Sequence, residues 1–573
     1  MKLEAIIERY VGGFGRYQLY VLTLVFIMRF PAAVHNIGYV FYAATPGHWC
    51  RFQRHYDVIN MTEDQWKRFA IPLKDKGKME YEQCSMFKWA NNPTLTADEI
   101  NQTLAAIIDG SSSLENQTLS CDSWEYDKWT HVADSLVTEW DMVCGRAWMK
   151  ANIASVYVVG WIIGTNVGGY ISDRFGRRTV VVGGATLAVL FGMTLPFCNN
   201  YIAFLVIRCF LAASWNGLTL TTFPLSMELV GPEYRSLLTA MYMNMWAVSY
   251  IIIPGVAYGL RHWFPFMMAL VSPTIVILLV PASLMPESLQ WLVAKGRHRQ
   301  AEATLRKMAR WNKKSIPSDV RLSLVEDKLK QRTNILDLFQ TPNVRRINVI
   351  VGFNWFLNAL VYYNISWNAD TLHGDLYLNV FISGLLEIPA YLLNVPILQT
   401  MGRRWGTSVF TLVVGILYLI SIFVSGIGGT VLILAAKFFI SMTFTMIWQY
   451  SAELYPTVAR STSMGMVNAV ARIGTFIAPY MPLLGSLYSA IISVGLCIAG
   501  AFSLLFLPET LSTTLPANVQ EVEERGKISA RSFLHCPCLH RRDRVGVIES
   551  INTQADSNKE LDSGSGANGE VRY

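Results

Sequence analysis

Apolar blocks of about 20 residues recur along this 573-residue chain, the length at which an α-helix crosses the hydrocarbon core of a bilayer. About twelve are present, near 17–43, 147–170, 179–198, 201–226, 236–259, 263–285, 347–367, 376–398, 406–425, 430–452, 462–484 and 486–507. Only 16% of the residues are charged, against about a quarter in a soluble chain. A soluble helical protein does not repeat runs of this length, so an all-α integral membrane protein is expected.

The charges between the blocks set an orientation. "SDRFGRRTV" at 172–180 crowds Asp173, Arg174, Arg177 and Arg178 into one short turn. Further basic connections follow the fourth, sixth, eighth and tenth blocks: Arg235, the 287–346 segment, Arg403 with Arg404, and Arg460. The links 199–200 and 426–429 carry no Lys or Arg. Basic short loops stay in the cytoplasm, which places both termini inside. The formal charge of +7 therefore calls for no nucleic-acid partner. The first block is read as a retained span: it exceeds a signal-peptide core, and its loss would break the charge alternation.

One outer loop is long. Residues 44–146 hold Cys50, Cys84, Cys121 and Cys144 and the glycosylation sequons at Asn60, Asn101 and Asn116. That clustering points to an oxidising, extracellular side, in agreement with the charges. Four cysteines allow three pairings. Cys198, Cys209 and Cys497 lie in or near spans and read as packing residues, and the sequon at Asn364 lies within a span.

The chain repeats itself. "GRR" at 176 returns at 402, "MELVGPEYRS" ending the fourth block returns as "AELYPTVARS" ending the tenth, and "MPES" at 285–288 returns as "LPET" at 507–510. One spacing of about 225 residues for all three means a duplicated six-helix unit, the build of the major facilitator superfamily. The layout expected is a terminus 1–16, a first half 17–285, a linker 286–346 with short helices, a second half 347–507 and a largely disordered tail 508–573. The repeated turns read as gates that bind neighbouring helix ends in one conformation and release them in another. The gate residues are Asp173, Arg174, Arg177, Arg178, Glu228 and Arg235, then Arg403, Arg404, Glu453 and Arg460. A topology signal alone is the other reading. Gln399 stands where the first copy has Asp173, so the second copy is expected to latch less strongly.

Over roughly 1–515 the chain resembles the organic cation, carnitine and organic anion transporter family of that superfamily. The marks are "ATPGHWC" at 44–50, "TEWDMVC" at 138–144, "SDRFGRR", "PESLQWLVAKGR" at 286–297, "EIPAY" at 387–391 and "AELYPTVARS" at 452–461. The resemblance implies about 12 helices in two halves and alternating access, with no enzymatic activity. It also implies the disulfides Cys50–Cys121 and Cys84–Cys144, in a loop where many relatives carry six cysteines. Positions matching Tyr362 and Trp448 line the central cavity in the family, and Lys437 matches a Lys of its tenth helix. The position of Arg472 is commonly Asp in cation carriers and Arg in carriers of anions or zwitterions.

Charges inside spans are costly and point to function. They are Arg29, Arg208, Glu387, Lys437 and Arg472, and Arg29 has no assigned role. Ser461, Gly465, Asn468, Arg472, Thr475 and Pro479 share one helix face, as do Asn379, Ser383, Glu387, Tyr391 and Asn394. An Arg fork suits a carboxylate. Glu387, with Trp355, Tyr362, Tyr363, Phe444, Trp448, Tyr450 and Trp215 as aromatic candidates, suits an ammonium group. The expected cargo is a small cation or zwitterion like carnitine, β-alanine or a biogenic amine, carried across the plasma membrane. An organic anion exchanger, a structural Arg472–Glu387 pair, and a receptor using the glycosylated loop are the other readings. No Walker A run is present, no cofactor or metal is expected, and neither Na+ nor H+ is assigned as coupling ion. The partners expected are the organic ion and membrane lipid, with the protein a monomer. "HCPCLH" at 535–540 fits no zinc spacing; Cys536 and Cys538 suit palmitoylation or plain solvation. The terminal "VRY" has the form of a weak PDZ ligand.

Overall fold

Helices fill all twelve apolar blocks. The computed structural model describes residues 3–51, most of 67–88, 117–127, 134–317, 339–456 and 459–525 save a few positions near 512–517, with three isolated positions between 99 and 105. The first half holds α1 (Arg16–Tyr42), α2 (Trp148–Phe175), α3 (Arg177–Thr194), α4 (Tyr201–Leu229), α5 (Pro232–Gly259) and α6 (Trp263–Leu284). The second holds α7 (Pro342–Trp367), α8 (Leu376–Met401), α9 (Arg403–Phe423), α10 (Ile427–Leu454), α11 (Arg460–Ile477) and α12 (Ser486–Leu504). Ten of these are long and apolar enough to cross a membrane. The other two, α7 and α11, are diluted by the polar residues Asn348, Asn354, Asn358 and Asn364, and by Asn468, Arg472 and Thr475. Both halves carry their termini on one face, here the termini face; residues 44–146 leave from the opposite loop face.

Small residues let α2 and α4 approach closely. Gly160, Gly164 and Gly168 stand four apart on α2. A Cβ on Gly164 would lie 2.2 Å from the Ala213 carbonyl oxygen, and one on Gly160 2.2 Å from that of Cys209. This is the small-residue helix contact of membrane bundles, where packing replaces the absent hydrophobic drive. Gly176 and Gly402, which join α2 to α3 and α8 to α9, have φ of +110° and +80°, a region that favours glycine.

Among the described residues of the loop are three short antiparallel pairs. β1 (His48–Cys50) pairs with β6 (Trp124–Tyr126), β2 (Leu73–Asp75) with β3 (Glu80–Tyr81), and β4 (Ser85–Phe87) with β5 (Thr118–Ser120). Disulfides join Cys50 to Cys121 and Cys84 to Cys144, the pairing that the resemblance implied. Asn60, Asn101 and Asn116 lie outside the described residues, as do Cys536, Cys538 and the terminal "VRY".

Two helices of the linker, Leu289–Ala294 and His298–Trp311, dock on the termini face. Asn312 ties them to the N-terminus: its amide donates to Gln18 Oε1 at 2.8 Å and its Oδ1 accepts from the Tyr17 N–H at 2.9 Å. Val519–Arg525 is a helix, and its Glu523 accepts from the backbone N–H groups of Asn343 and Val344, the open first turn of α7.

Gly164→Leu is expected to abolish the folded carrier, since backbone faces the new side chain, while Gly183→Leu, with open space at its Cβ, is expected to be tolerated. The monodisperse fraction in size-exclusion chromatography checks this, and equal yields would contradict the α2–α4 packing.

Candidate functional site

Glu387 sits in the middle of α8 and is fully buried. Lys437 of α10, also fully buried, places its Nζ 3.0 Å from Glu387 Oε1. The hydroxyls of Tyr362 and Tyr391 donate to the same carboxylate at 2.5 and 3.1 Å. Lys437 further donates to Ser366 Oγ at 2.6 Å and lies 3.2 Å from the Tyr362 ring centroid. Two charges this deep persist only when paired and hydrogen-bonded, and here both are. α7, α8 and α10 of the second half supply every group.

Arg472 is not the partner of Glu387. Its guanidinium donates to Asn468 Oδ1 at 3.0 Å, one turn earlier on α11. It lies 4.5 Å from the Trp161 ring centroid, across the boundary between the halves. Among the described residues no carboxylate forms an ion pair with it. The reading of a structural Arg472–Glu387 pair is thus corrected: Lys437 neutralises Glu387, and an ammonium ligand would have to displace it.

Aromatic rings connect this centre. Trp246 Nε1 donates to the Tyr362 hydroxyl at 3.2 Å; Tyr362 and Tyr363 have centroids 5.0 Å apart, and Tyr363 and Trp161 5.9 Å. Phe444 and Trp448 are half-buried on α10 and flank Trp355, at 6.0 and 5.0 Å. Trp355 itself is sealed, donating to Ser451 Oγ, and reads as the wall behind them. Tyr450 donates to the Pro508 carbonyl and belongs to the termini face; Trp215 is buried packing beside His35. Arg208 is structural: it donates to the Ile153 carbonyl at 2.9 Å and to the Tyr42 hydroxyl, and lies 4.8 Å from the Tyr157 ring. Arg29 lies 4.7 Å from the Tyr242 ring and 5.6 Å from Trp246.

The gate residues form two matched corners on the termini face. In the first, Glu287 accepts the backbone N–H groups of Arg177 and Arg178, Arg177 pairs with Asp173 at 2.6 Å and reaches Glu228 at 4.0 Å, and Ser288 donates to Glu228. In the second, Glu509 accepts those of Arg403 and Arg404, Arg403 pairs with Glu453 at 3.0 Å, and Thr510 donates to Glu453 at 2.6 Å. These bonds lie within each half rather than between halves. With Gln399 in place of an Asp, Arg403 pairs with Glu453 and donates to the Leu398 carbonyl at 3.4 Å. Arg174 donates to the Tyr170 hydroxyl, Arg178 to the Ser283 carbonyl and Arg460 to the Tyr455 carbonyl. Arg235 is half-buried in the first turns of α5, and Arg404 is buried. Glu287, Glu509, Ser288 and Thr510 were missed as corner residues; the repeat of "MPES" in "LPET" was the signal.

The halves are tied together at the loop face and the centre. Lys150 pairs with Asp370, whose carboxylate also accepts the Thr45 N–H at 3.2 Å. Trp367 Nε1 donates to Asn36 Oδ1 at 3.1 Å, the Tyr480 hydroxyl to Asn152, and Ser155 Oγ to the Phe476 carbonyl. The structure is therefore latched shut on the loop face. Nothing in the charge pattern of the short links pointed to Lys150 or Asp370.

Residues 102–520 match the family described as sugar (and other) transporter. The chain is 31% identical over 542 residues to solute carrier family 22 member 4 of Mus musculus, covering 90% of this chain and 94% of that one. It is 30% identical over 539 residues to the organic cation transporter protein of Drosophila melanogaster, covering 90% and 94%. It is likewise 30% identical over 572 residues to the beta-alanine transporter of that species, covering 95% and 92%. A solved structure of the major facilitator superfamily proton:xylose symporter XylE superimposes with a TM-score of 0.51 at 16% identity, covering 88% of this chain and 98% of that one. The partially occluded inward-open form of XylE from E. coli gives 0.50 at 13%, covering 86% and 100%. Two six-helix halves, the repeated corners and these relatives agree: the chain is a multi-pass membrane transporter, not an enzyme, and belongs to the sugar and other transporter family of the major facilitator superfamily.

Proposed function

We propose that this carrier moves small organic ions that bear a carboxylate, β-alanine-like and carnitine-like zwitterions among them, across the plasma membrane by alternating access. One observation carries this reading: Arg472 stands at the boundary between the halves, against Trp161 and bonded to the neutral Asn468, and no carboxylate among the described residues pairs with it. An Arg inside a span without a counter-ion is a binding group by default. The half-buried Phe444 and Trp448 offer aromatic surface to an ammonium end. A purely cationic cargo is favoured less, because the acid that would receive it already holds Lys437. The beta-alanine transporter among the relatives supports a zwitterion. The basic turns and the disulfide-linked loop support cytoplasmic termini and an extracellular loop.

Alternating access then requires the loop-face latch to open. Asp370→Asn is expected to speed alkylation of a Ser155→Cys thiol, one turn inside the latch, by a membrane-impermeant reagent applied on the loop side. An unchanged rate would contradict a latch at Lys150 and Asp370.

Losing a charge-assisted hydrogen bond costs about 1.5–3 kcal/mol, or roughly a ten- to hundredfold change in affinity. Arg472→Ala at matched surface level is expected to reduce β-alanine uptake into vesicles by that factor and to spare a carboxyl-free amine of equal length. Equal losses for the two probes would make Arg472 structural and remove the reading.

A further inference from the structure

The loop holds a cluster of ligating groups away from the transport site. The Cys84–Cys144 disulfide lies against His48 of β1. His48 Nε2 is 3.8 Å from Cys144 Sγ, and its Nδ1 is 3.1 Å from the Pro46 carbonyl oxygen. A carbonyl only accepts, so Nδ1 carries the ring proton and donates to Pro46. In the neutral ring Nε2 then keeps its lone pair and turns it to the sulfur. The ligating atoms of His48, Cys84 and Cys144 all lie within 4.8 Å of one another.

The two disulfides differ in access. Cys50 and Cys121 are both buried. Cys84 is exposed and Cys144 half-buried, with His48 buried beside them. Exposed disulfides are the labile ones, since an attacking thiolate must reach a sulfur. Cys144 also holds φ at +52°, a region costly for a residue with a Cβ. Strain of this kind persists where the surroundings enforce it, and it clusters at functional sites.

We infer that reduction of Cys84–Cys144 converts this cluster into a zinc-binding site, with His48 Nε2 and the two thiolates as ligands. The reductant is an external dithiol. Its first thiolate attacks the exposed Cys84 sulfur, forms a mixed disulfide and releases Cys144 as a thiolate. Its second thiol then closes on the first, which frees Cys84 and leaves the dithiol oxidised to its own disulfide. The cysteine pair gains two electrons and two protons, and the metal ion displaces those protons on binding.

The geometry suits the ion. Bonds of about 2.3 Å to sulfur and about 2.0–2.1 Å to nitrogen at a tetrahedral centre put nitrogen and sulfur about 3.6 Å apart. His48 Nε2 and Cys144 Sγ stand at 3.8 Å already. The two sulfurs must part to about 3.8 Å, which rotation about their Cα–Cβ bonds supplies. The Nδ1–H bond to the Pro46 carbonyl is the outer support that metal-bound imidazoles almost always have. Two thiolates and an imidazole select zinc over calcium or magnesium, and the exposed side at Cys84 leaves the fourth position to water. The site is independent of the reading of Arg472.

The test uses the full chain in lipid nanodiscs, with Cys536→Ser and Cys538→Ser so that the tail thiols take no part. Brief exposure to dithiothreitol, followed by alkylation and mass mapping, is expected to label Cys84 and Cys144 while Cys50 and Cys121 stay joined. After the reductant is removed, Co2+ serves as the spectroscopic probe. The reduced chain is expected to show thiolate-to-cobalt charge-transfer absorption that Zn2+ abolishes, and the oxidised chain to show none. His48→Asn keeps a donor for Pro46 but lacks the Nε2 lone pair. It is expected to weaken Zn2+ binding at least about tenfold, the loss that follows removal of even a supporting group of a metal site. Should His48→Asn fail to fold, the parent chain still decides, because Zn2+ is expected to protect its reduced Cys84 and Cys144 from alkylation. No charge-transfer band after reduction, Cys50–Cys121 opening as early as Cys84–Cys144, no protection by Zn2+, or unchanged Zn2+ affinity in folded His48→Asn overturns the site.

Discussion

An ionised side chain in the middle of a bilayer must be neutralised by the protein or by what the protein carries. Glu387 and Lys437 meet that demand internally, 3.0 Å apart and bonded to Tyr362, Tyr391 and Ser366. The pair fixes α7, α8 and α10 against one another, and Tyr362 extends it to Trp246 of the other half. Removing one member alone would strand the other, which costs more than the pair gains. This acid is spent on a lysine, and no carboxylate among the described residues pairs with Arg29 or Arg472.

Duplication shapes the termini face. Each half turns a corner at a positive-φ glycine, and each corner is capped by a glutamate from the end of its sixth span, Glu287 or Glu509. The copies differ where the sequence differs. Asp173 shares Arg177 in the first, and Glu228 falls to Ser288. In the second, Gln399 leaves Arg403 to Glu453. The corner bonds lie within each half, while Lys150, Asp370 and the neighbouring loop-face contacts join one half to the other.

The spans were legible because burial in lipid demands long apolar runs, and the halves because three motifs recur at one spacing. The disulfides came from family likeness, since spacing alone leaves three pairings. The short strands of the loop were not read; none exceeds three residues, too few for an alternation to show. At the site, helical spacing put Glu387 and Arg472 on polar faces but did not say which cation of another helix would meet Glu387. Both Lys437 and Arg472 were available, and only packing of α8 against α10 decides between them. Arg29 was visible as an oddity, yet its meaning depends on Trp246 and Tyr242, more than two hundred residues away in the chain. Glu287 and Glu509 were visible as a repeat, but their task of capping backbone N–H groups leaves no pattern in composition.

The central claim is that Arg472 is reserved for cargo while Glu387 is reserved for Lys437. An experimental structure of the carrier with β-alanine bound tests it most directly. The account predicts ligand carboxylate density at the Arg472 fork, between Trp161 and Tyr363, with the Glu387–Lys437 pair unbroken. Ligand carboxylate placed elsewhere, or an Arg472 side chain turned to Glu387 in its presence, would contradict it.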